Sequence, residues 1–264
     1  MNDPRVIALT GSKNAGKTKL IEVYTPRLRE KTGWKIGTIK CAFKHVRFDE
    51  GEYSYDVARH LKAGVVQSSF SSSVHTVVIK EGQQLLRDII GMMGELDFIF
   101  IEGQPDDVRG YPQVALIRDG VEIAEYVNEF TVAVSSINRD LDINHPLHIP
   151  FESLMDILVG KTFPLLSGLD CGHCGNSSCE EMMVSLIRGT NLIGDCEPRR
   201  LERSGFKLLV NGTQVPCVGF VKDIITKTFS GMVSALKGVD GDIKEVKLEF
   251  RNENTMDGER GSEK

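Results

Sequence analysis

The sequence has no excess of basic residues. Its 264 residues include 32 Lys and Arg against 37 Asp and Glu, which gives a net charge of -5 and a pI of about 5.8. A protein that neutralises a nucleic-acid backbone needs a surplus of positive charge. We therefore expect no nucleic acid as a main partner. A single nucleotide, which needs only a local phosphate cradle, is compatible with this charge.

Long apolar runs and secretion signals are also lacking. No segment approaches the roughly 20 apolar residues that a helix needs to cross a bilayer. The first residues, MNDPRVIALTGS, contain neither a basic region nor a small-residue cleavage site. We expect a cytoplasmic protein with no membrane partner. Disulfides are rare in that compartment, so the crowding of four of its six cysteines into one short segment favours metal.

Short apolar runs alternate with helical patterns up to about residue 160. The runs are apolar on both faces, which is typical of strands in a parallel sheet that helices cover. The sequence therefore predicts an α/β domain with a mostly parallel sheet and helices on both faces. The predicted strands are residues 5–10, 34–43, 75–80, 97–103, 113–119 and 129–136, and the predicted helices are residues 18–32, 55–64, 81–93 and 151–160.

The pattern changes near residues 161–167, where we expect a domain boundary. A cysteine-rich segment follows, and after it a small α+β pattern with a strand-turn-strand candidate, a helix and a last strand. These candidates are residues 206–216, 219–236 and 245–250. We predict a nucleotide-binding domain at 1–162, a four-cysteine domain at 163–202, a small α+β unit at 203–250 and a disordered tail at 251–264.

Residues 11–18, GSKNAGKT, fit the P-loop pattern G-x-x-x-x-G-K-[ST] between a predicted strand and a predicted helix. Glycines let successive backbone N–H groups converge on a phosphate. Lys17 is expected to reach the β- and γ-phosphate oxygens, and Thr18 to supply a hydroxyl to Mg²⁺. A chance match in a glycine-rich turn is the alternative. The predicted nucleotide-binding residues are Gly11, Ser12, Lys13, Asn14, Ala15, Gly16, Lys17, Thr18 and Lys19.

Glu102 ends the predicted strand DFIFIEG, where open α/β sheets place their ligand crevice. It can bind Mg²⁺ through water or orient an attacking water, so Lys17 and Glu102 are the catalytic candidates. A solvent-exposed carboxylate at a strand end is the alternative. Asp97, at the other end of the strand, is interpreted as a strand-entry residue. Ser12 occupies the position where ATPases of the MinD type carry an additional lysine, which argues against that branch.

Several segments together resemble the molybdopterin-guanine dinucleotide biosynthesis protein B (MobB) family over about residues 5–160. They are TGSKNAGKTKLIEVYTPRLREKTGWKIGTIK, Phe48-Asp49, YDVARHLKAGV and DFIFIEG. Within the family pattern, the matching residues are Lys40, His45, Asp56, Arg59, Ala63 and Gly64. The family serine is Val57 here, and one histidine remains near the usual histidine cluster, so the substrate side of the site departs from the pattern.

The resemblance implies a GTP-binding, slowly hydrolysing accessory protein, often a homodimer. Its implied partner is the molybdenum-cofactor guanylyltransferase or a molybdoenzyme or tungstoenzyme. The N-K-x-D motif, with which many GTP-binding proteins recognise guanine, is missing. NRDLD at residues 138–142 resembles it only loosely. GTP is favoured over ATP. Arg59 and Lys40 could clamp an anionic ligand opposite the P-loop, or be solvent-facing charges, and His45 and His60 are interpreted as surface residues.

Four cysteines follow the spacing C-x₂-C-x₄-C-x₁₆-C at Cys171, Cys174, Cys179 and Cys196. Thiolates suit an iron–sulfur cluster or zinc. Zinc ribbons usually have two C-x₂-C knuckles, and the second is absent, so the spacing favours a cluster. The segment resembles the [4Fe-4S] domain of corrinoid iron–sulfur proteins and Rnf-type electron carriers, with zinc as the alternative metal. Cys41 and Cys217 stand alone and are interpreted as buried apolar residues.

Three functions are compatible with these features. The first is a GTP-binding accessory protein of molybdenum or tungsten dinucleotide cofactor assembly. The second is a nucleotide-gated iron–sulfur electron carrier or an NTPase that matures a metallocentre. The third, a small-molecule kinase or ligase, ranks last because the sequence shows no acceptor site.

Overall fold

The computed structural model describes residues 3–41, 57, 59–60, 63–80, 82, 84–103, 110–210, 213–239 and 243–248. The chain divides into two compact units, Met1–Arg199 and Arg200–Lys264. None of the helices in the described ranges has the length and apolarity that a bilayer crossing demands.

A six-stranded sheet forms the centre of the first unit. Five strands run parallel in the order β2-β5-β1-β6-β7, and β8 pairs antiparallel with the start of β1. This confirms the predicted α/β fold with a mostly parallel sheet. The strands are β1 (Arg5–Thr10), β2 (Ile36–Lys40), β3 (Gln67–Ser71), β4 (Thr76–Lys80), β5 (Phe98–Glu102), β6 (Gln113–Leu116), β7 (Thr131–Ser135), β8 (Phe163–Pro164), β9 (Leu208–Val210) and β10 (Thr213–Val215).

Helices cover both faces of this sheet. The described α-helices are α1 (Lys17–Thr32), α2 (Leu86–Met92), α3 (Ile123–Tyr126), α4 (Met155–Gly160), α5 (Cys179–Arg188), α6 (Glu197–Arg203) and α7 (Gly219–Ser234), with 3₁₀ turns at Gly120–Glu122, Phe151–Ser153 and Ile193–Asp195. Along β1, Ile7 and Leu9 pack with α1 and α4, whereas Val6 and Ala8 pack on the other face with Leu86 of α2. Because successive strand residues point to opposite faces, a strand buried on both sides must be apolar throughout.

The predicted third strand, residues 75–80, belongs to a different sheet. Its observed form, β4, pairs antiparallel with β3 in a separate two-stranded hairpin. Ser72 closes the turn, since its hydroxyl oxygen accepts a hydrogen bond from the His75 N–H (2.9 Å). β3 was not predicted from the sequence because QSSFS has serines where buried strands have apolar residues. Of the predicted helix at residues 55–64, residues 57 and 59–60 are helical and residues 63–64 form a turn; the others lie outside the described residues.

The second unit contains the predicted strand-turn-strand and helix. β9 and β10 pair antiparallel, and α7 follows them. The predicted last strand is wrong for residues 245–248, which form no strand; residues 249–250 and the tail 251–264 lie outside the described residues. Along the chain, the boundary between the two compact units falls between residues 199 and 200, inside α6. Whether domains end at residues 162, 202 and 250 stays a prediction.

Replacing Tyr24 tests how α1 is held to the turn that precedes α4. The Tyr24 ring is fully buried, its hydroxyl donates to the Phe151 carbonyl, and it accepts a hydrogen bond from the Leu154 N–H (3.0 Å). Tyr24→Phe leaves both backbone groups without a partner, which costs about 1–3 kcal/mol of unfolding free energy. Chemical denaturation measures this loss. Tyr126→Phe, at a half-buried tyrosine, is the control; an equal loss in both variants would contradict the assignment.

Candidate nucleotide and cysteine sites

At the carboxyl end of β1, the order in which the chain adds strands to the sheet reverses. After β1 the chain builds β2 and β5 on one side of it and then β6 and β7 on the other. In open α/β sheets a ligand crevice forms at such a switch point, outside the carboxyl ends of the strands. The P-loop segment, residues 11–16, leaves β1 at this point and leads directly into α1. The fold therefore places the segment where a nucleotide can bind.

Two glycines allow the loop to pass close to neighbouring strands. Gly11 has φ +135°, and a Cβ there would lie 2.1 Å from the Leu116 carbonyl oxygen at the end of β6. Gly16 has φ +102°, and a Cβ there would lie 2.4 Å from Ile137 Cγ2. Both φ values are unfavourable for L residues with side chains. The loop conformation thus requires glycine at both positions.

The Lys17 side chain turns back toward the P-loop, and its ammonium contacts the loop backbone. Its Nζ donates to the carbonyl oxygens of Gly11 (2.7 Å) and Ser12 (2.6 Å). Burial lowers the pKa of Lys17, while the carboxylates of Glu102 and Glu122 act in the opposite direction. A partly desolvated ammonium held by carbonyl oxygens can be transferred to phosphate oxygens, which are stronger acceptors.

Thr18 and Glu102 meet at the start of α1. The Thr18 hydroxyl donates to both Glu102 carboxylate oxygens, at 3.1 and 3.2 Å, and Lys40 Nζ lies 3.4 Å from Glu102 Oε1. Mg²⁺ takes oxygen ligands and usually keeps several waters. A hydroxyl and a carboxylate in contact beside the P-loop fit that requirement. The Glu102 side chain is 14% exposed, so the alternative of a solvent-exposed strand-end carboxylate does not describe it.

The remaining predicted loop residues differ in their surroundings. Ala15 is fully buried, whereas Lys13 and Asn14 are exposed, Asn14 with φ +65°. Lys19 lies on the exposed side of α1, where its Nζ is 3.4 Å from Glu22 Oε2. Arg59 and His60 are exposed. His45 lies outside the described residues.

Sequence analysis missed Glu122, which lies near the P-loop although it follows β6. Burial alone would raise its pKa, but hydrogen bonds from the Arg118 N–H (2.8 Å) and the Arg118 guanidinium hold that pKa below its ordinary value. Arg118 Nη2 lies 2.9 Å from Glu122 Oε1. The available signal was the segment RDGVE, in which Asp119 caps a 3₁₀ turn after a buried strand. This carboxylate adds negative charge close to Lys17.

The four predicted cysteines line one small cavity at the start of α5. Cys196 is buried, and Cys171, Cys174 and Cys179 are half-buried. Burial raises the pKa of the Cys196 thiol, and the nearby Cys179 and Cys171 raise it further. Among the residues that the structure describes, no three Cys, His, Asp or Glu side chains converge closely enough to hold a single metal ion as they stand. The donor set of four thiols around one cavity nevertheless fits an iron–sulfur cluster or zinc.

Asn176 organises the loop that carries these cysteines. Its Nδ2 lies 3.6 Å from Cys174 Sγ and 3.4 Å from the Asn191 side-chain oxygen, and its Oδ1 accepts from the Ser185 hydroxyl at 2.8 Å. The N–H of Cys179, the first residue of α5, donates to Asp170 Oδ1 at 2.6 Å. Amide donors to ligand sulfurs are common around bound clusters because they stabilise thiolate charge.

The cysteine site lies near the amino ends of the parallel strands, whereas the P-loop lies at their carboxyl ends. β8 pairs with Arg5 and Val6, the first residues of β1, and leads into the cysteine segment. A Cβ on Gly110, before β6, would lie 3.3 Å from Glu180 Cα in α5. The length of β1 therefore lies between the P-loop at its carboxyl end and the β8 pairing at its amino end.

Comparison with known proteins gives two family matches. The profile of the family described as "MobB: Molybdopterin guanine dinucleotide synthesis protein B" matches residues 6–137, which is half of the chain. A second, described as "FeS: Putative Fe-S cluster", matches residues 166–198, which include the four cysteines. The resemblance to corrinoid iron–sulfur proteins stays a prediction.

Individual relatives and solved structures are also similar to this chain. It is 26% identical over 250 residues to the "Putative molybdopterin-guanine dinucleotide biosynthesis adapter protein" of Methanocaldococcus jannaschii, covering 93% of this chain and 97% of the relative. Solved structures of Bacillus subtilis MobB (19% identity, TM-score 0.44, 55% of this chain and 88% of that one) and of the Bacillus stearothermophilus MobB homolog (21%, 0.40, 58% and 89%) are similar to it. On the match to residues 6–137, the chain belongs to the MobB family.

Proposed function

We propose that this protein binds Mg-GTP at the P-loop as an accessory protein of molybdenum or tungsten molybdopterin-guanine dinucleotide cofactor assembly. The contact of Thr18 with Glu102, beside the Lys17 ammonium and at the end of β1, is the observation that carries the proposal. The adapter name of the archaeal relative supports the pathway. The membership of this chain in the MobB family supports the same assignment.

Each residue has a distinct part in binding. Backbone N–H groups of residues 11–16 and the start of α1 face the phosphates, since helix N-termini favour anions. Lys17 exchanges the carbonyl oxygens of Gly11 and Ser12 for phosphate oxygens. Thr18 and Glu102 would hold Mg²⁺, Thr18 through its hydroxyl and Glu102 through water. The Lys17 ammonium and the bound Mg²⁺ together balance the triphosphate charge.

Hydrolysis on this arrangement is slow. Phosphoryl transfer depends on positioning and electrostatic stabilisation rather than on a protein nucleophile. Glu102 is the residue placed to orient an attacking water, but its carboxylate also contacts the Thr18 hydroxyl and lies 3.4 Å from the Lys40 ammonium. These contacts occupy the carboxylate oxygens that an attacking water would need. The bound state, rather than turnover, then serves the accessory role.

The partner we propose is the guanylyltransferase that attaches the nucleotide to the molybdenum cofactor, or the enzyme that receives the cofactor. The protein acts as a homodimer. The cysteine segment holds a [4Fe-4S] cluster through Cys171, Cys174, Cys179 and Cys196, with zinc as the alternative. When bound, the cluster cross-links α5 to the loop before it and supplies a one-electron redox centre.

The second function, a nucleotide-gated electron carrier, is favoured by one observation. The cavity lined by four cysteines lies in the same compact unit as the P-loop, and β8 connects the two through β1. The separation of the two sites means that nucleotide would influence the cluster through the sheet and not by contact. A cluster potential that shifts when nucleotide binds would support this function.

Lys17→Ala tests the nucleotide site. Loss of a charge-assisted contact to phosphate lowers Mg-GTP affinity about tenfold to a hundredfold, measured by isothermal titration calorimetry. Lys31→Ala removes the same charge in the last turn of α1, where the lysine pairs with Asp156, and serves as the control. Equal GTP affinity in wild type and Lys17→Ala would remove the P-loop from the proposal.

Metal analysis tests the cysteine site. Protein purified without oxygen is expected to contain iron and sulfide, and Cys171→Ser is expected to lose most of both because a thiolate ligand is missing. Cys217→Ser changes a buried thiol in the other compact unit and is the control. Zinc without iron in the wild-type protein contradicts the cluster assignment.

A further inference from the structure

A cleft of about 440 Å³ opens beside the end of β7. Val134 in β7 forms a parallel bridge with His148, so the chain at residues 147–149 runs alongside β7 and ends at the same edge of the sheet. Clefts of this volume are typical of small-molecule sites. Its polar and aromatic lining consists of Ser136, Asn138, Arg139, His148, Phe151 and Glu152.

The cleft adjoins the P-loop. Ile137, between two lining residues, packs so closely on Gly16 that a Cβ there would lie 2.4 Å from Ile137 Cγ2. On its other side, the Phe151 ring meets Tyr24 of α1 edge to face, with ring centroids 6.0 Å apart. Residues that line the cleft, or that lie next to its lining in the chain, therefore contact both Gly16 before α1 and Tyr24 within it. A ligand with its phosphates at the P-loop can extend into the cleft.

A carboxylate faces this space. Glu152 Oε1 lies 2.5 Å from Arg139 Nη2, and the Glu152 side chain is 46% exposed. The Glu152 backbone N–H and the Arg139 guanidinium hold its pKa below the ordinary value, so it is ionised at neutral pH. Exposed ion pairs contribute little to stability, and the Arg139 side chain is itself 78% exposed. A ligand can therefore separate this pair at small cost.

Guanine matches an ionised carboxylate better than adenine does. The N1–H and the 2-amino group of guanine are adjacent donors, and a carboxylate accepts two hydrogen bonds side by side. Adenine has an unprotonated N1 at the corresponding edge, which repels the carboxylate. The Phe151 ring and the Arg139 guanidinium plane offer surfaces on which a base can stack.

We infer that this cleft holds the guanine base of the bound nucleotide and that Glu152 reads its Watson–Crick edge. The inference rests on the proposed GTP binding and specifies which residues select the base. It replaces the missing N-K-x-D signature with a carboxylate from the 3₁₀ turn Phe151–Ser153. Asn138, in the NRDLD segment, lines the same cleft.

Glu152→Gln tests the inference by calorimetric titration with Mg-GTP, Mg-ATP, Mg-XTP and inorganic triphosphate. An amide cannot accept both guanine donors, so GTP affinity is expected to fall on the order of tenfold. Xanthine carries a carbonyl where guanine has its amino group, so the N–H of the introduced amide can donate to it and XTP affinity is expected to rise. Triphosphate, which engages only the P-loop, is expected to bind unchanged.

Asp156→Asn is the matched control, because it removes the same charge one turn later at a 92% exposed side chain that pairs with Lys31. Unchanged GTP affinity in Glu152→Gln, or a parallel loss of triphosphate binding, overturns the base assignment alone. If wild-type protein binds triphosphate without preferring GTP over ATP, the assignment is likewise wrong. If it binds neither GTP nor triphosphate, the proposed function fails first and the inference with it.

Discussion

The nucleotide site depends on how closely the loop after β1 approaches the end of β6. Gly11 lies against the Leu116 carbonyl at a distance that leaves no room for a Cβ. That approach is possible because β1 and β6 are parallel neighbours whose carboxyl ends meet at one edge. It also brings the segment after β6, with Arg118 and Glu122, close enough to the P-loop to act on the charge of Lys17. The path of the loop and the position of Glu122 both depend on this contact, whereas Glu102 comes from β5 on the other side of β1.

The two sites share a scaffold without touching. β1 carries the P-loop at its carboxyl end and pairs with β8 at its amino end, from which the cysteine segment continues. Arg199, close to Cys196, donates to the Leu165 carbonyl and contacts Asp3, which precedes β1. Since packed elements move as units, a shift of β1 would reach both sites. This makes communication through the sheet physically reasonable for either function.

Much of this arrangement was predictable from local patterns. The P-loop spacing, the apolar run before it and Glu102 at the end of β5 each have a signature within a few residues. Of the hairpin β3–β4, only β4 was predicted. The segment QSSFS lacks apolar alternation, and it forms β3 because it pairs with Thr76–Lys80. Glu152 has no such signature, and Glu122 has only the nearby cap residue Asp119, since a charged residue in a short turn is usually exposed.

The sequence by itself determined the α/β class, the phosphate-binding loop and the presence of a four-thiol segment, because each depends on the identity and spacing of neighbouring residues. Tertiary structure alone decided three further features. It placed Glu122 against the P-loop, positioned the cysteines at the far edge of the sheet and formed the cleft around Glu152. These features depend on strand order, which brings together residues that are distant in the chain and that local spacing cannot relate.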